Sequence, residues 1–183
     1  MSGRLDGKTV AFVVANEGIE QVELTDPWEA VTGAGGRPVL VAPKDGTTQA
    51  FNHLDKADTF PVDRTTVDAK PEDFDAVVLP GGVANPDQLR TDDAAVSFLR
   101  SFAGTGRPIA AICHGPWTLI EAGVVDGKTL TSWPSLRTDL ENAGGTWVDR
   151  ELVVDEQLIT SRKPDDLPAF CDQLVSAVEA ASR

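Results

Sequence analysis

Residues 108–116, Pro108-Ile109-Ala110-Ala111-Ile112-Cys113-His114-Gly115-Pro116, run from an apolar stretch straight into a cysteine. Pro108–Ile112 is short and continuously apolar, the pattern of a strand covered on both faces. Helical character resumes at Gly115 and stops at Gly123. A strand-turn-helix elbow needs small residues two positions either side of its apex, because the chain folds back on itself there, and Ala111 and Gly115 meet that demand. The sulfur of Cys113 is thereby expected to face the first free N–H groups of the following helix, which favour a thiolate.

The same alternation extends outward in both directions. Thr9–Ala15 and Pro38–Ala42 read as buried strands, separated by a helix whose face is Leu24, Trp28 and Val31 and which closes at Gly33. Ala76–Leu79 is a third strand leading into Pro80-Gly81-Gly82. Val96, Leu99 and Phe102 mark a helix before the fourth strand. Thr129–Ser132, Leu152–Val154 and Leu158–Ser161 predict shorter strands, with a helix near 135–143 between the first two. Leu167, Phe170, Leu174, Val178 and Ala181 predict a closing helix. The polar stretch 45–70 reads as a hairpin or excursion at a sheet edge. Alternating strands and helices define an α/β fold with a mainly parallel sheet, over a chain of 183 residues that suits a single domain, 1–183. In such sheets the crevice lies beyond the carboxyl ends of the strands, where both Gly81-Gly82 and Cys113 fall.

Composition narrows the partners. A formal net charge of −13 repels phosphate backbones and anionic lipid, so neither nucleic acid nor a membrane surface is expected. Residues 1–8 are polar and the first apolar run is too short for a signal peptide or a membrane span. Two cysteines make no disulfide framework, and a cytoplasmic setting is expected. Two histidines and two cysteines offer no zinc-binding spacing, and no cofactor is expected.

Candidate site residues follow from the elbow. Gly82 lacks a side chain, so its N–H can approach a substrate oxygen and, with the N–H of His114, form an oxyanion hole; Gly81 and Gly115 belong to the same substrate-facing turns. His114 is the one imidazole placed to shuttle protons for Cys113. Glu20 and Glu23 open the first helix, and a carboxyl there within reach of the sulfur would stay protonated and donate to it. Cys171 falls on the core stripe of the last helix and reads as packing, and His53 as a solvent-facing loop residue.

Three strings together, Asn16-Glu17-Gly18-Ile19-Glu20-Gln21-Val22-Glu23-Leu24, Leu79-Pro80-Gly81-Gly82 and Ala111-Ile112-Cys113-His114-Gly115-Pro116, resemble the ThiJ/PfpI superfamily, in particular its PfpI-type intracellular protease and general stress protein branch, peptidase family C56. The resemblance implies a flavodoxin-like, doubly wound three-layer sandwich that assembles as a homodimer or a higher homo-oligomer. It matches Cys113 to the family's elbow cysteine, His114 to its adjacent histidine and Glu23 to the acid that hydrogen-bonds the sulfur. It matches Asp87 to an acid that reaches a neighbouring subunit, although this loop is one residue longer and carries Asp in place of Glu. The activity implied is that of a stress-response cysteine hydrolase or a glyoxalase- or deglycase-like enzyme, acting on a peptide, a small carbonyl compound or a glycated protein. The alternative is a redox sensor or chaperone-like stress protein in which Cys113 oxidises selectively. Glutamine amidotransferases share the fold, but their triad needs a later histidine; none follows His114, which argues against glutaminase chemistry.

Overall fold

The computed structural model describes residues 3–181. Strand β1 (Thr9–Val13) is followed by β2 (Glu17–Glu20) and helix α1 (Gln21–Gly33), then β3 (Arg37–Ala42), β4 (Thr47–Asn52), β5 (Asp55–Pro61) and β6 (Arg64–Thr65). After β7 (Ala76–Leu79) come α2 (Ala84–Leu89), α3 (Asp93–Ala103), β8 (Ile109–Ile112) and α4 (Pro116–Glu121). The chain closes with β9 (Thr129–Leu130), α5 (Arg137–Asn142), β10 (Thr146–Trp147), β11 (Val153–Asp155), β12 (Leu158–Ser161) and α6 (Leu167–Ala180).

Seven strands form the central sheet in the order β11-β12-β8-β7-β1-β3-β6. Every pair in it is parallel except β11 with β12. The reason lies in the strands themselves: side chains alternate between faces, and here both alternating sets are apolar. Ala11, Val13, Val77, Leu79, Ile109 and Ala111 join the core beneath α3, α4 and α5, with Phe98, Phe102, Leu119 and Leu140. Val10, Phe12, Ala76, Val78, Ala110 and Ile112 join the opposite core beneath α1 and α6, with Leu24, Val31, Phe170 and Leu174. Helices on both faces of one parallel sheet make the expected flavodoxin-like three-layer sandwich. Cys171 packs against the second core as expected, and burial pushes its thiol up to about 12.

Three local readings differ. The stretch 45–70 does contain a hairpin, β4–β5, but it joins a separate three-stranded sheet through β2, which pairs in parallel with β4. β2 carries Gly18 and Glu20, whose spacing hides a strand because the segment continues directly into α1. Strand character also stops at Leu130 rather than Ser132, since the backbone then turns so that Trp133 N–H can donate to the Cys113 carbonyl (2.9 Å). Finally, α2 begins two residues after Gly82 and lacks helical spacing in its apolar residues; tertiary contacts hold it, as Asn85 shows below.

Candidate active site

Cys113 directly follows β8 with φ of 61°, a left-handed conformation that a residue with a Cβ adopts only at a cost of about 1 kcal/mol or more. The elbow is therefore real. Its tightness is measured by Gly115, where a Cβ would come within 2.5 Å of the Leu79 carbonyl oxygen and 2.9 Å of that of Ile112. Cys113 N–H donates to Ser161 O (3.0 Å), so the apex is tied to the end of β12 as well. The sulfur is buried but not sealed: Cys113 is 6% exposed and opens onto a cavity of about 570 Å³.

The Gly81-Gly82 turn lies against this elbow. A Cβ on Gly81 would strike Glu23 Oε2 and approach Cys113 Cβ to 2.6 Å; one on Gly82 would strike the Gly18 carbonyl oxygen. Only glycine fits at either position. Asn85, almost wholly buried, clamps this turn: its Oδ1 accepts from Ala15 N–H (2.7 Å), and its Nδ2 donates to the carbonyls of Pro80 and Gly81 (both 3.0 Å). The amides of Gly82 and His114, expected to hold a substrate oxygen, both point at the resting sulfur and favour its charged form.

Glu23 is fully buried in the first turn of α1. Its Oε2 accepts from Gly81 N–H (2.8 Å), whereas its Oε1 has no hydrogen-bond partner among the described residues. The carboxyl lies close enough to Cys113 for each to act on the other's ionisation. Burial is the main cause that pushes Glu23 up to about 8, so it holds its proton at neutral pH. Burial also pushes the Cys113 thiol up, with any negative charge on Glu23 adding to the push. The elbow by itself thus does not lower the thiol as the sequence led one to expect. The expectation neglected desolvation, which outweighs two amide donors.

Glu20, paired with Glu23 in the sequence reading, has a different environment. Its Oε2 accepts from the His53 N–H (3.1 Å), and His53 Nδ1 lies 4.0 Å away. His53 is indeed largely exposed, but its position at the β4–β5 turn, with φ of 59°, brings it to the cavity wall.

His114 places Nδ1 3.1 Å from Cys113 Sγ. Its ring stacks on Trp133 (centroids 5.8 Å apart, planes at 21°) and meets the edge of Trp117 at 5.3 Å. This partial enclosure lowers the imidazole to about 4, so it is neutral at physiological pH. Asp87, on α2, is exposed and lines the cavity of its own chain. Sequence reasoning missed Asn85 and Trp133. Asn85 lies in the same loop as Asp87, and a buried-type clamp there is signalled only by the adjacent glycines; Trp133 is brought in from 20 residues away by the turn after β9.

A parallel sheet between helical layers, with a cysteine at a strained elbow and a buried carboxyl beside it, defines a flavodoxin-like α/β protein built around a cysteine site. The chain belongs to the DJ-1/PfpI family, whose pattern matches residues 8–177. It is 41% identical to General stress protein 18 of Bacillus subtilis over 174 residues, 94% of this chain and 99% of that protein. Over 164 residues it is 40% identical to Protein/nucleic acid deglycase 2 of Escherichia coli, covering 89% of this chain and 93% of the relative. Among solved structures, DJ-1beta of Drosophila melanogaster superposes with a TM-score of 0.84 at 29% identity, covering 94% of this chain and 90% of that one. No helix among the described residues is long and apolar enough to cross a membrane.

Proposed function

We propose that this chain is a cysteine-dependent enzyme of stress defence that attacks reactive carbonyl compounds, such as methylglyoxal, or their adducts on proteins. The observation that carries the reading is the meeting of Cys113, Glu23, His114 and the Gly82 N–H at one cavity of small-molecule size. Opening a peptide bond would require room for chain on both sides of it, which a cavity of about 570 Å³ favours less.

Glu23, protonated at neutral pH, donates to the Cys113 sulfur. The repulsion an ionised Glu23 would exert is then absent, and the Gly82 and His114 amides add two further donors to the thiolate. The thiolate adds to the carbonyl carbon, and the π electrons pass to oxygen, which takes up a proton to give a hemithioacetal. The sulfur is now uncharged, so the two amides are released to the oxygen where charge develops. For a dicarbonyl, neutral His114 moves the proton of the hemithioacetal carbon to the neighbouring carbon while the hemithioacetal hydroxyl proton passes to the neighbouring carbonyl oxygen, yielding a thioester of a 2-hydroxy acid. Water cleaves that thioester and restores the thiol. The sum is dicarbonyl plus water to hydroxy acid, with no external oxidant or reductant.

The test is Cys113→Ser, with methylglyoxal consumption and hydroxy-acid formation followed by chromatography. Loss of turnover in a variant whose circular dichroism is unchanged is expected. Undiminished turnover in that variant would sink the reading.

A further inference from the structure

Among the described residues the His114 ring has one hydrogen-bond partner, Cys113 Sγ at Nδ1 (3.1 Å), and no carboxylate of its own chain orients it. Two indoles stand where such an acid would act. Trp133 lies nearly flat on one face of the imidazole, and Trp117 meets it edge-on. Trp117 is three residues after His114, and its N–H donates to the His114 carbonyl (3.0 Å), so the backbone brings the two side chains together without fixing the indole's rotation. That rotation is fixed from outside the cavity. Trp117 Nε1 donates to Asp139 Oδ2 in the first turn of α5 (2.8 Å), and the Arg90 guanidinium, paired with Glu121, lies over the ring at 5.7 Å. Trp133 is held through its backbone: its N–H donates to Cys113 O, and its carbonyl accepts from Ser132 Oγ (2.8 Å), which in turn accepts from Trp147 Nε1 (3.0 Å). One stretch, Ser132 to Asp139, thus carries both the ring that covers His114 and the carboxylate that steers the second ring.

We propose that Trp117, Trp133 and Asp139 are positioning residues for the proton carrier: the two indoles bracket His114 so that Nδ1 stays on the Cys113 sulfur, and Asp139 latches the bracket from outside the cavity. The inference deepens the reading of His114 as the group that moves protons in the carbonyl reaction, and rests on it. A ring restrained on two sides is already in its working orientation when substrate arrives. The same indoles exclude water, which favours the uncharged imidazole that a proton acceptor requires. Other groups surround the ring: Cys113, Glu20, Glu23, His53 and Asp87 on the cavity wall, Asp139, Arg90 and Glu121 behind Trp117, and Lys163 with Asp165 beside Pro164. Burial, rather than any of these charges, lowers the ring from 6.5 to about 4.

The experiment follows the imidazole nitrogen shifts of the full-length, nitrogen-15-labelled protein by NMR from about pH 8 down to about 5.5, a range that spans the ordinary histidine midpoint. The chain has two histidines, so largely exposed His53 is the internal reference, and His53→Asn assigns the signals. In the unaltered protein His53 is expected to charge over this range and His114 to stay neutral. Trp133→Ala should raise the His114 midpoint by at least about one pH unit by admitting water. Asp139→Ala should move it the same way by letting Trp117 turn. Loss of the carboxylate's charge would by itself do the reverse, so the sign identifies the latch. Asp139→Asn, whose Oδ1 still accepts from the indole, should restore the neutral ring, and Asp139 is exposed, so both of its variants are expected to fold. A His114 midpoint that stays or falls in Trp133→Ala overturns the proposal; a fall would mean that the indole face chiefly attracts the imidazolium. So does an Asp139→Ala that matches the unaltered protein, or an Asp139→Asn that matches Asp139→Ala. Methylglyoxal turnover is read in parallel, with kcat expected to fall several-fold in Asp139→Ala while KM holds. Shifts that behave as expected in a protein that consumes no methylglyoxal would sink the carbonyl reading and leave the bracket standing, whereas turnover with unmoved shifts would remove the bracket alone.

Discussion

At Cys113 two opposing effects meet on a single atom. Desolvation raises the thiol, and the amides of Gly82 and His114 favour the thiolate. In the proposed mechanism Glu23 decides between them through its protonation: ionised it repels the thiolate, protonated it donates to it. With its carboxyl pushed up to about 8, the second state prevails at neutral pH. Replacing Glu23 by leucine keeps the apolar volume and removes the donor. We expect Glu23→Leu to raise the midpoint of Cys113 alkylation by iodoacetamide by at least about one pH unit, equivalent to about 1.4 kcal/mol. An unchanged midpoint would show that the carboxyl contributes nothing to the thiolate.

At the scale of elements, the site is an alignment of three strand ends. β1, β7 and β8 lie in parallel register, Phe12 beside Val78 and Val78 beside Ala110, so their carboxyl ends emerge together. Asn85, one residue into α2, then fastens the turn after β7 to the chain leaving β1. Substituting it by alanine strands a buried Ala15 N–H, removes the donor to the Pro80 carbonyl and leaves the Gly81 carbonyl only the long bond from Glu20 N–H (3.4 Å). A loss of about 1–3 kcal/mol in urea denaturation is expected for Asn85→Ala, together with slower Cys113 alkylation, because Gly81 would no longer be held against Glu23. Full stability in that variant would mean the clamp is dispensable.

Across the whole molecule, proton counting tests the Glu23–Cys113 pair through stability. A carboxyl raised in the folded state contributes stability that is complete below its unfolded pKa of about 4.3 and is lost as pH rises to about 8. That holds for Glu23 alone, as in Cys113→Ser. If Cys113 carries the thiolate of the proposed mechanism, it and a proton-donating Glu23 together hold one proton in the unaltered protein; unfolded, the carboxylate and thiol also hold one. The pair then gives no slope over this window. Cys113→Ser should therefore lose stability relative to the unaltered protein by about 1.4 kcal/mol per pH unit between about pH 5 and 7.5. His114, held neutral down to about 4, has the opposite sign between about 4 and 6.5 but acts equally in both proteins and cancels. Parallel stability curves would show that the sulfur is a neutral thiol.

Much of this molecule is legible residue by residue. Continuous apolar runs announce strands covered on both faces, and the small residues around Cys113 announce the elbow, because both are local steric demands of the backbone. The position of Glu23 at the start of α1 could be matched to the sulfur only through its resemblance to known sequences. What the sequence by itself determined was therefore the layered α/β architecture and the identity of the central cysteine. Only the tertiary structure decided the balance of charge around it: which carboxyl meets the sulfur, that Glu20 turns to the hairpin instead, that Trp133 stacks on His114 from across the cavity, and that desolvation works against the thiolate. Those outcomes depend on how closely distant segments pack and exclude water, and neither distance nor dielectric is written in the order of residues.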